Sequence, residues 1–415
     1  MPVIQEIVEQ HAEEAAFLWL LRDAAVRAPH YNLKDIAHLD DRVEAHIDGL
    51  RVSEEAGWEL CREALNHQEA GEGFAAGVLA LESGDKARID FVMDAAVATP
   101  ELARGVVSAF GWVPFERTAG LSSSLLASSS AALRRIGIAA HAIHRLDPGE
   151  ALNRAIADED VALRARALRA AGELGRVDLL GRTRSSLRDE DEPCRFFAAR
   201  STALLGDRAS AAPVLCALSE TGGFRASEAC ALAVRCLPVA TAQKWLETLV
   251  RRPETLRLAI VGAGALGEPS VALWLIDRMA TPELARIAGE AFSMITGIDI
   301  AYQSLDGERP DGFEPGPTEE PEDENVALDE DEDLPWPKSE LIARWWKENY
   351  SRFQGGTRYL LGESVSPERA MEVLRTGWQR QRIAAAIELA MNDPGKSLFE
   401  VRAPGVVQQR LLRRT

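Results

Sequence analysis

The residues of this chain that could do chemistry are few, and most have a packing role that explains them equally well. Gly262, Gly264 and Gly267 fall in Gly-Ala-Gly-Ala-Leu-Gly, the G-x-G-x-x-G spacing with which a strand-to-helix turn brings backbone amides onto a pyrophosphate. Here the motif lies in a helical stretch. The small residues are therefore expected to let helices approach each other, and Gly267 to end its helix. His141 and His144 are three apart and could share a metal ion, yet no third or fourth ligand is evident and their surroundings are apolar. His46, followed by Asp48, offers either a polar pair for a partner's acidic group or a capping role. No Ser-His-Asp, Cys-His or Walker-type arrangement stands at a recognisable spacing, so no catalytic, cofactor-binding or metal-ligating residue is assigned.

Charged and aromatic clusters are better candidates, and they point to recognition. Arg164 and Arg195 occupy equivalent places in a repeat. They form either a groove for an acidic ligand or ion pairs with acids of the neighbouring turn, Asp160 or Asp191. Asp329, Glu330, Asp331, Glu332 and Asp333 form an uninterrupted acidic run. The run lacks the glycine and closing glutamate of a calcium loop. It reads as a solvated loop, or as an electrostatic site for a basic client or for the chain's own C-terminal module. Trp345 and Trp346 form either core packing or a platform for a peptide.

The elements that must position these residues repeat. The stretch from Asp158, DEDVALRARALRAAGELG, returns 31 residues later as DEDEPCRFFAARSTALLG. Acids open each unit at the positive end of a helix, alanine and leucine at three- and four-residue spacing give a narrow apolar face, and Leu-Gly closes it. Second helices are expected at Val177–Leu187 and Ser210–Leu218. One such unit cannot bury its apolar face alone, so units must stack. The fold class is therefore all-α, a helical solenoid with non-repeat helical modules at both ends. The expected divisions are an N-terminal module over 1–70, the array over 71–304, an acidic, proline-rich flexible loop over 305–337, and a C-terminal cap over 338–415.

The net charge of −18 is concentrated. Between Asp306 and Asp333 stand 14 acidic residues and one arginine, which leaves the rest of the chain near −5. From Glu368 onward nine basic residues face five acidic ones. The five cysteines include no CxxC pair, as expected of free thiols in a reducing cytoplasm. The first residues carry acids where a signal peptide needs basic ones, and no apolar run suffices to cross a bilayer. These features imply a cytoplasmic protein with no membrane partner and no cofactor.

The repeat resembles the HEAT-like class, including its short-repeat, bilin-lyase-type variant. A narrower resemblance rests on RVEAHIDGL, MITGIDI, DEDLPWP, RWW, GGTRYLLG, WQRQRIAAAIEL and LFEVRAPG, in that order. It is to a proteobacterial family whose genes are found near those of type VI secretion spike and effector components. That resemblance implies a non-catalytic adaptor or chaperone-like factor whose partner is a protein client, an effector or spike component. Two alternatives stay open. One is an enzyme or ligand-handling protein like the bilin-lyase-type repeats. The other is a HEAT-like nucleic-acid binder, which the scattered arginines beside acids support little.

Overall fold

The structure is a computed structural model and describes residues 4–223, 225–314, 316 and 329–414. It is all-α, with 22 α-helices and one two-stranded hairpin among the described residues. None of these helices is long and apolar enough to cross a membrane. The chain forms two compact units, residues 1–205 with 375–415, and residues 206–374.

Unit 1 contains α1 (Gln5–Ala25), α2 (Leu33–Val52), α3 (Glu54–Ala64), α4 (Ala70–Ser83), α5 (Lys86–Ala98), α6 (Pro100–Trp112), α7 (Phe115–Leu126), α8 (Ala131–Ile143), α9 (Glu150–Ala155), α10 (Val161–Glu173), α11 (Leu180–Ser185) and α12 (Glu192–Leu204). From α4 onward every second helix stacks on the next but one, α4 on α6, α6 on α8, α8 on α10 and α10 on α12. The intervening helices pack on their sequence neighbours. This two-layer pattern is what the repeat requires, because each apolar face is covered only by the adjoining units.

Local chemistry sets the boundaries. The Asp160 carboxylate accepts from the Leu163 amide at 2.8 Å and that of Asp191 from the Cys194 amide at 2.9 Å, so each acidic turn caps its helix. Gly175, at φ +65°, and Gly206, at φ +106°, adopt the left-handed conformation after α10 and α12. Between the caps, Ala167, Ala170, Ala171, Ala198 and Ala199 are fully buried. The helices approach so closely that a Cβ on Gly172 would lie 2.5 Å from Ser201 Oγ. That hydroxyl accepts from the Gly172 amide and donates to the Leu168 carbonyl. The helix expected over Val177–Leu187 is a short α11 flanked by 3₁₀ turns.

Unit 2 repeats the pattern with α13 (Arg208–Glu220), α14 (Ala226–Cys236), α15 (Val239–Val250), α16 (Leu256–Leu266), α17 (Ala272–Arg278) and α18 (Pro282–Thr296), in which α14, α16 and α18 stack. Gly264 meets Ala291, where a Cβ would come within 2.8 Å of the Ala291 Cα, and Gly267 ends α16 at φ +75°. The G-x-G-x-x-G spacing thus serves helix packing. α19 (Ser339–Asn349) packs on α17, and the hairpin of β1 (Tyr359–Leu360) and β2 (Glu363–Ser364) follows, with β1 against α18.

The divisions expected from sequence differ from these. A single apolar core runs from Val8 to Ala140, so residues 1–70 are no separate module and the stack begins on them. The C-terminal cap is also divided. Residues 338–374 belong to unit 2 and hold most of α20 (Pro367–Thr376), whereas 375–415 return to unit 1 with α21 (Gln379–Asn392) and α22 (Gly405–Arg414). FEVRAPG lies against the C-terminal helices, where the Val401 carbonyl accepts from Gln379 of α21 and Gln408 of α22, and it also meets α1 and α2 through Arg22 and Asp40. Of the loop expected over 305–337, residues 315 and 317–328 lie outside the described residues.

Candidate functional site

Two charged constructions stand out, a ladder of arginines along the repeats and a buried ionic cluster under the C-terminal segment of unit 1.

The ladder begins with Arg134, Arg164 and Arg195, each fourth in its helix. In each, Nη1 donates to the carbonyls five and six residues back. These are Ser128 and Ser129 for Arg134, Asp158 and Glu159 for Arg164, and Asp189 and Glu190 for Arg195. The outer edge of the guanidinium then reaches the aspartate opening the next unit. Arg134 bonds Asp158 at 2.7 Å, and Arg164 bonds Asp189 with Nε at 2.8 Å and Nη2 at 3.1 Å. The hydrogen bonds from Arg164 hold the Asp189 carboxyl below the usual carboxylate range. The expected partners of Arg164 and Arg195, Asp160 and Asp191, are instead the helix caps. A capping carboxylate is turned toward its own amides and cannot also face the arginine of the preceding unit.

The acidic run occupies the same kind of place in unit 2. Asp329 pairs with Arg286 at 2.6 Å. Asp331, 4% exposed, takes both Arg257 Nη1 at 2.8 Å and Nη2 at 2.6 Å, while its carbonyl accepts from Arg286. The Asp331 amide donates back to Asp329 Oδ1 at 3.0 Å, the turn made by Asp160 on Asp158 at 3.1 Å and by Asp191 on Asp189 at 3.0 Å. Asp-Glu-Asp at 329–331 thus reproduces the opening turn of a repeat unit without belonging to one. The sequence reading of these acids as a solvated loop is corrected for Asp329 and Asp331, which are engaged, and Glu330, though exposed, also reaches Arg257 at 3.3 Å.

The other candidates serve packing or local pairing. His46 Nδ1 lies 3.2 Å from His11 Nδ1, and burial and that neighbour lower its pKa. Asp48 pairs with Arg51. Trp345 and Trp346 stand edge-on to Phe292 at 5.9 and 5.8 Å and are half-buried against the core of unit 2. His141 bonds the Gly137 carbonyl and His144 that of Phe110, with Phe115 against both rings. Among the described residues no group of three His, Cys, Asp or Glu side chains is placed to hold a metal ion.

Sequence reasoning missed the second construction. Glu173, 2% exposed, pairs with Arg169 at 2.6 Å and Arg166 at 3.0 Å. Residues 393–404 lie beside it. The Leu398 amide donates to the Glu173 carbonyl at 2.9 Å, Arg145 Nε donates to the Leu398 carbonyl at 2.6 Å, and Arg145 Nη2 and Arg402 both reach Glu400. Farther on, Arg22 donates to the carbonyls of Arg402 and Ala403 and pairs with buried Asp40, whose other oxygen accepts from the Gly405 amide. Burial would raise the Glu173 carboxyl, but Arg169, Arg166, Arg145 and Arg200 outweigh it and hold the group well below the usual range. Glu400 is likewise lowered to about 2, with burial opposed by Arg402 and Arg145.

This fixes an acid dependence. A carboxyl depressed on folding stabilises fully above its unfolded value, near 4.5, and that contribution is lost as pH falls through the folded value. For Glu400 the contribution is about 3 kcal/mol. The urea midpoint of unit 1 should therefore decline between about pH 4.5 and pH 2. Glu400→Gln should flatten that limb, and identical acid profiles for the two proteins would contradict the assignment.

A cavity of about 220 Å³ opens at the first rung, between Leu126, Ile138 and Ala155, with Arg134, Arg154 and Asp158 on its polar side. It is smaller than the roughly 300–1,000 Å³ usual for cofactor sites.

No protein-family model matches the sequence, and no curated protein matches it. A crystal structure of an engineered protein is similar over 94% of this chain and 99% of its own, at 14% identity and a TM-score of 0.32. A likeness of that size carries no argument.

Proposed function

We propose that this chain is a non-catalytic protein-interaction scaffold of HEAT-like type, acting in the cytoplasm as an adaptor or chaperone-like factor for a protein client. The observation that supports this reading is the seating of residues 393–404 on unit 1. Arg145 and Arg22 hold that segment by its backbone carbonyls at Leu398, Arg402 and Ala403. Backbone contacts of this kind, with one acidic side chain, Glu400, also held by Arg145, are how a groove takes up an extended peptide segment. A rigid stack offers them at small ordering cost. The type VI version, in which the client is an effector or spike component, rests on the sequence resemblance alone.

The experiment is affinity purification of the tagged full chain from its native host, with mass spectrometry of what co-purifies. Recovery of a spike or effector component is expected. Recovery of no protein by a folded sample would overturn the scaffold reading and favour ligand handling, for which the cavity beside Arg154 would be the first place to look.

A further inference from the structure

The ladder has one unfilled rung. Arg164, Arg195 and Arg286 each stand 11 residues before a glycine of positive φ that follows their helix, Gly175, Gly206 and Gly297. Arg134 stands 11 residues before Arg145, which takes the same conformation at φ +57°. Three of these four arginines hold an aspartate, Asp158, Asp189 and Asp329. Arg195 does not. Its Nη1 makes the two inner bonds, to the carbonyls of Asp189 at 2.7 Å and Glu190 at 2.6 Å. Its Nε and Nη2, the edge with which Arg164 grips Asp189, have no acceptor among the described residues.

The sequence shows why. Asp158 and Asp189 each stand three residues before a helix start, at Val161 and Glu192, but the residue three before α14 is Gly223, which carries no carboxylate, and the acid before it, Glu220, ends α13. Glu220 is engaged elsewhere, by Trp245 at 2.9 Å and Arg252 at 3.2 Å. The Arg195 guanidinium is meanwhile fixed by its inner bonds, so a carboxylate meeting its outer edge finds the fork already oriented.

We propose that Arg195 is a docking point for an acidic turn of a protein partner, of the Asp-Glu-Asp type, whose first aspartate takes both outer donors. This rests on the scaffold reading and names the chemistry of its client. Unit 2 supplies the precedent. Asp329-Glu330-Asp331 comes from outside the helical units, folds the aspartate turn of a repeat and seats that first aspartate on Arg286, the equivalent arginine. The ladder therefore accepts this motif from a segment that is not a repeat.

The test titrates a labelled peptide, Asp-Glu-Asp-Glu-Asp-Leu-Pro-Trp-Pro, this chain's own residues 329–337, into the full-length protein at low salt. Saturable binding is expected. Arg195→Glu should abolish it, and Arg195→Lys should weaken it about tenfold, since lysine keeps the charge and a donor for the inner carbonyls but loses the fork. If the glutamate variant misfolds, the lysine variant carries the test. A peptide with its first aspartate changed to asparagine should bind more weakly than the original. Equal binding by wild type and the lysine variant, or no binding by wild type, overturns the proposal. A spike or effector protein recovered by the intact chain alongside a failed titration would overturn the Arg195 site and leave the scaffold reading standing. Failure of both would remove both.

Discussion

Glu173→Ala should cost unit 1 about 3–5 kcal/mol, the range for removing one partner of a buried ion pair. The side chain is enclosed by Arg166 and Arg169 and feels Arg145 and Arg200 as well. Its loss would leave that positive charge in a poorly solvated place with only Glu400 to answer it. Burial already lowers Arg166 to about 10, which shows how much its guanidinium depends on a nearby carboxylate. Hydrogen exchange resolved over α10 and α12 would read the change, since it reports the opening of each segment separately. Unchanged protection would mean that the arginines are solvated and the cluster is not closed. Glu173→Gln, which keeps hydrogen-bonding atoms and loses only the charge, should fall between wild type and alanine.

The second large effect is steric. Gly105→Ala should destabilise the α4–α6 pair by about 3 kcal/mol or more, at the upper end of overpacking costs. A Cβ there would stand 1.9 Å from the Ala70 carbonyl oxygen and 2.6 Å from the Phe74 nitrogen. Both are backbone atoms inside a helix, so no side-chain rotation relieves the clash. The control is Gly120→Ala in α7, where nothing lies within 4 Å of the new atom. There, alanine's better helix propensity should leave stability equal or raised by about 0.5–1 kcal/mol. A thermal melt of the two variants side by side separates the explanations, because a generic glycine effect would move both in the same direction.

The sequence made part of this legible. Acid caps and Leu-Gly terminators at a fixed interval are local signals, and they located α10, α12 and the stacking that links them. Arg164 and Arg195 stood out because the units carrying them are the least diverged. Arg134 and Arg286 belong to the same series and were missed. The spacing to the terminator would have found Arg286, whereas Arg145 in place of glycine disguises the unit of Arg134. Pairing was harder to read. Asp160 lies near Arg164 in sequence, but it serves as a cap, and the carboxylate that meets the arginine comes from the next unit. The cluster around Glu173 left no local trace at all. Glu400 and Arg402 sit in a short segment without periodicity, and nothing nearby in sequence says which helix end that segment will cross. The same holds for the division of the C-terminal residues between the two units, which depends on contacts that only the folded chain brings together.

Unit 1 is made of two stretches with all of unit 2 between them, and this has a consequence for how the chain is born. A ribosome adding roughly 5–20 residues per second delivers α1 to α12 well before the stretch that begins at Arg375, an interval on the order of ten to thirty seconds. During that time Arg145, Arg166 and Arg169 have only Glu173 for company. Unit 2 is contiguous and can reach its native state while the older half is still waiting. The first part synthesised is thus the last to be finished, and its charge balance closes only when Glu400 leaves the exit tunnel. A message broken late in the reading frame would release a nascent chain whose second unit is sound and whose first is not.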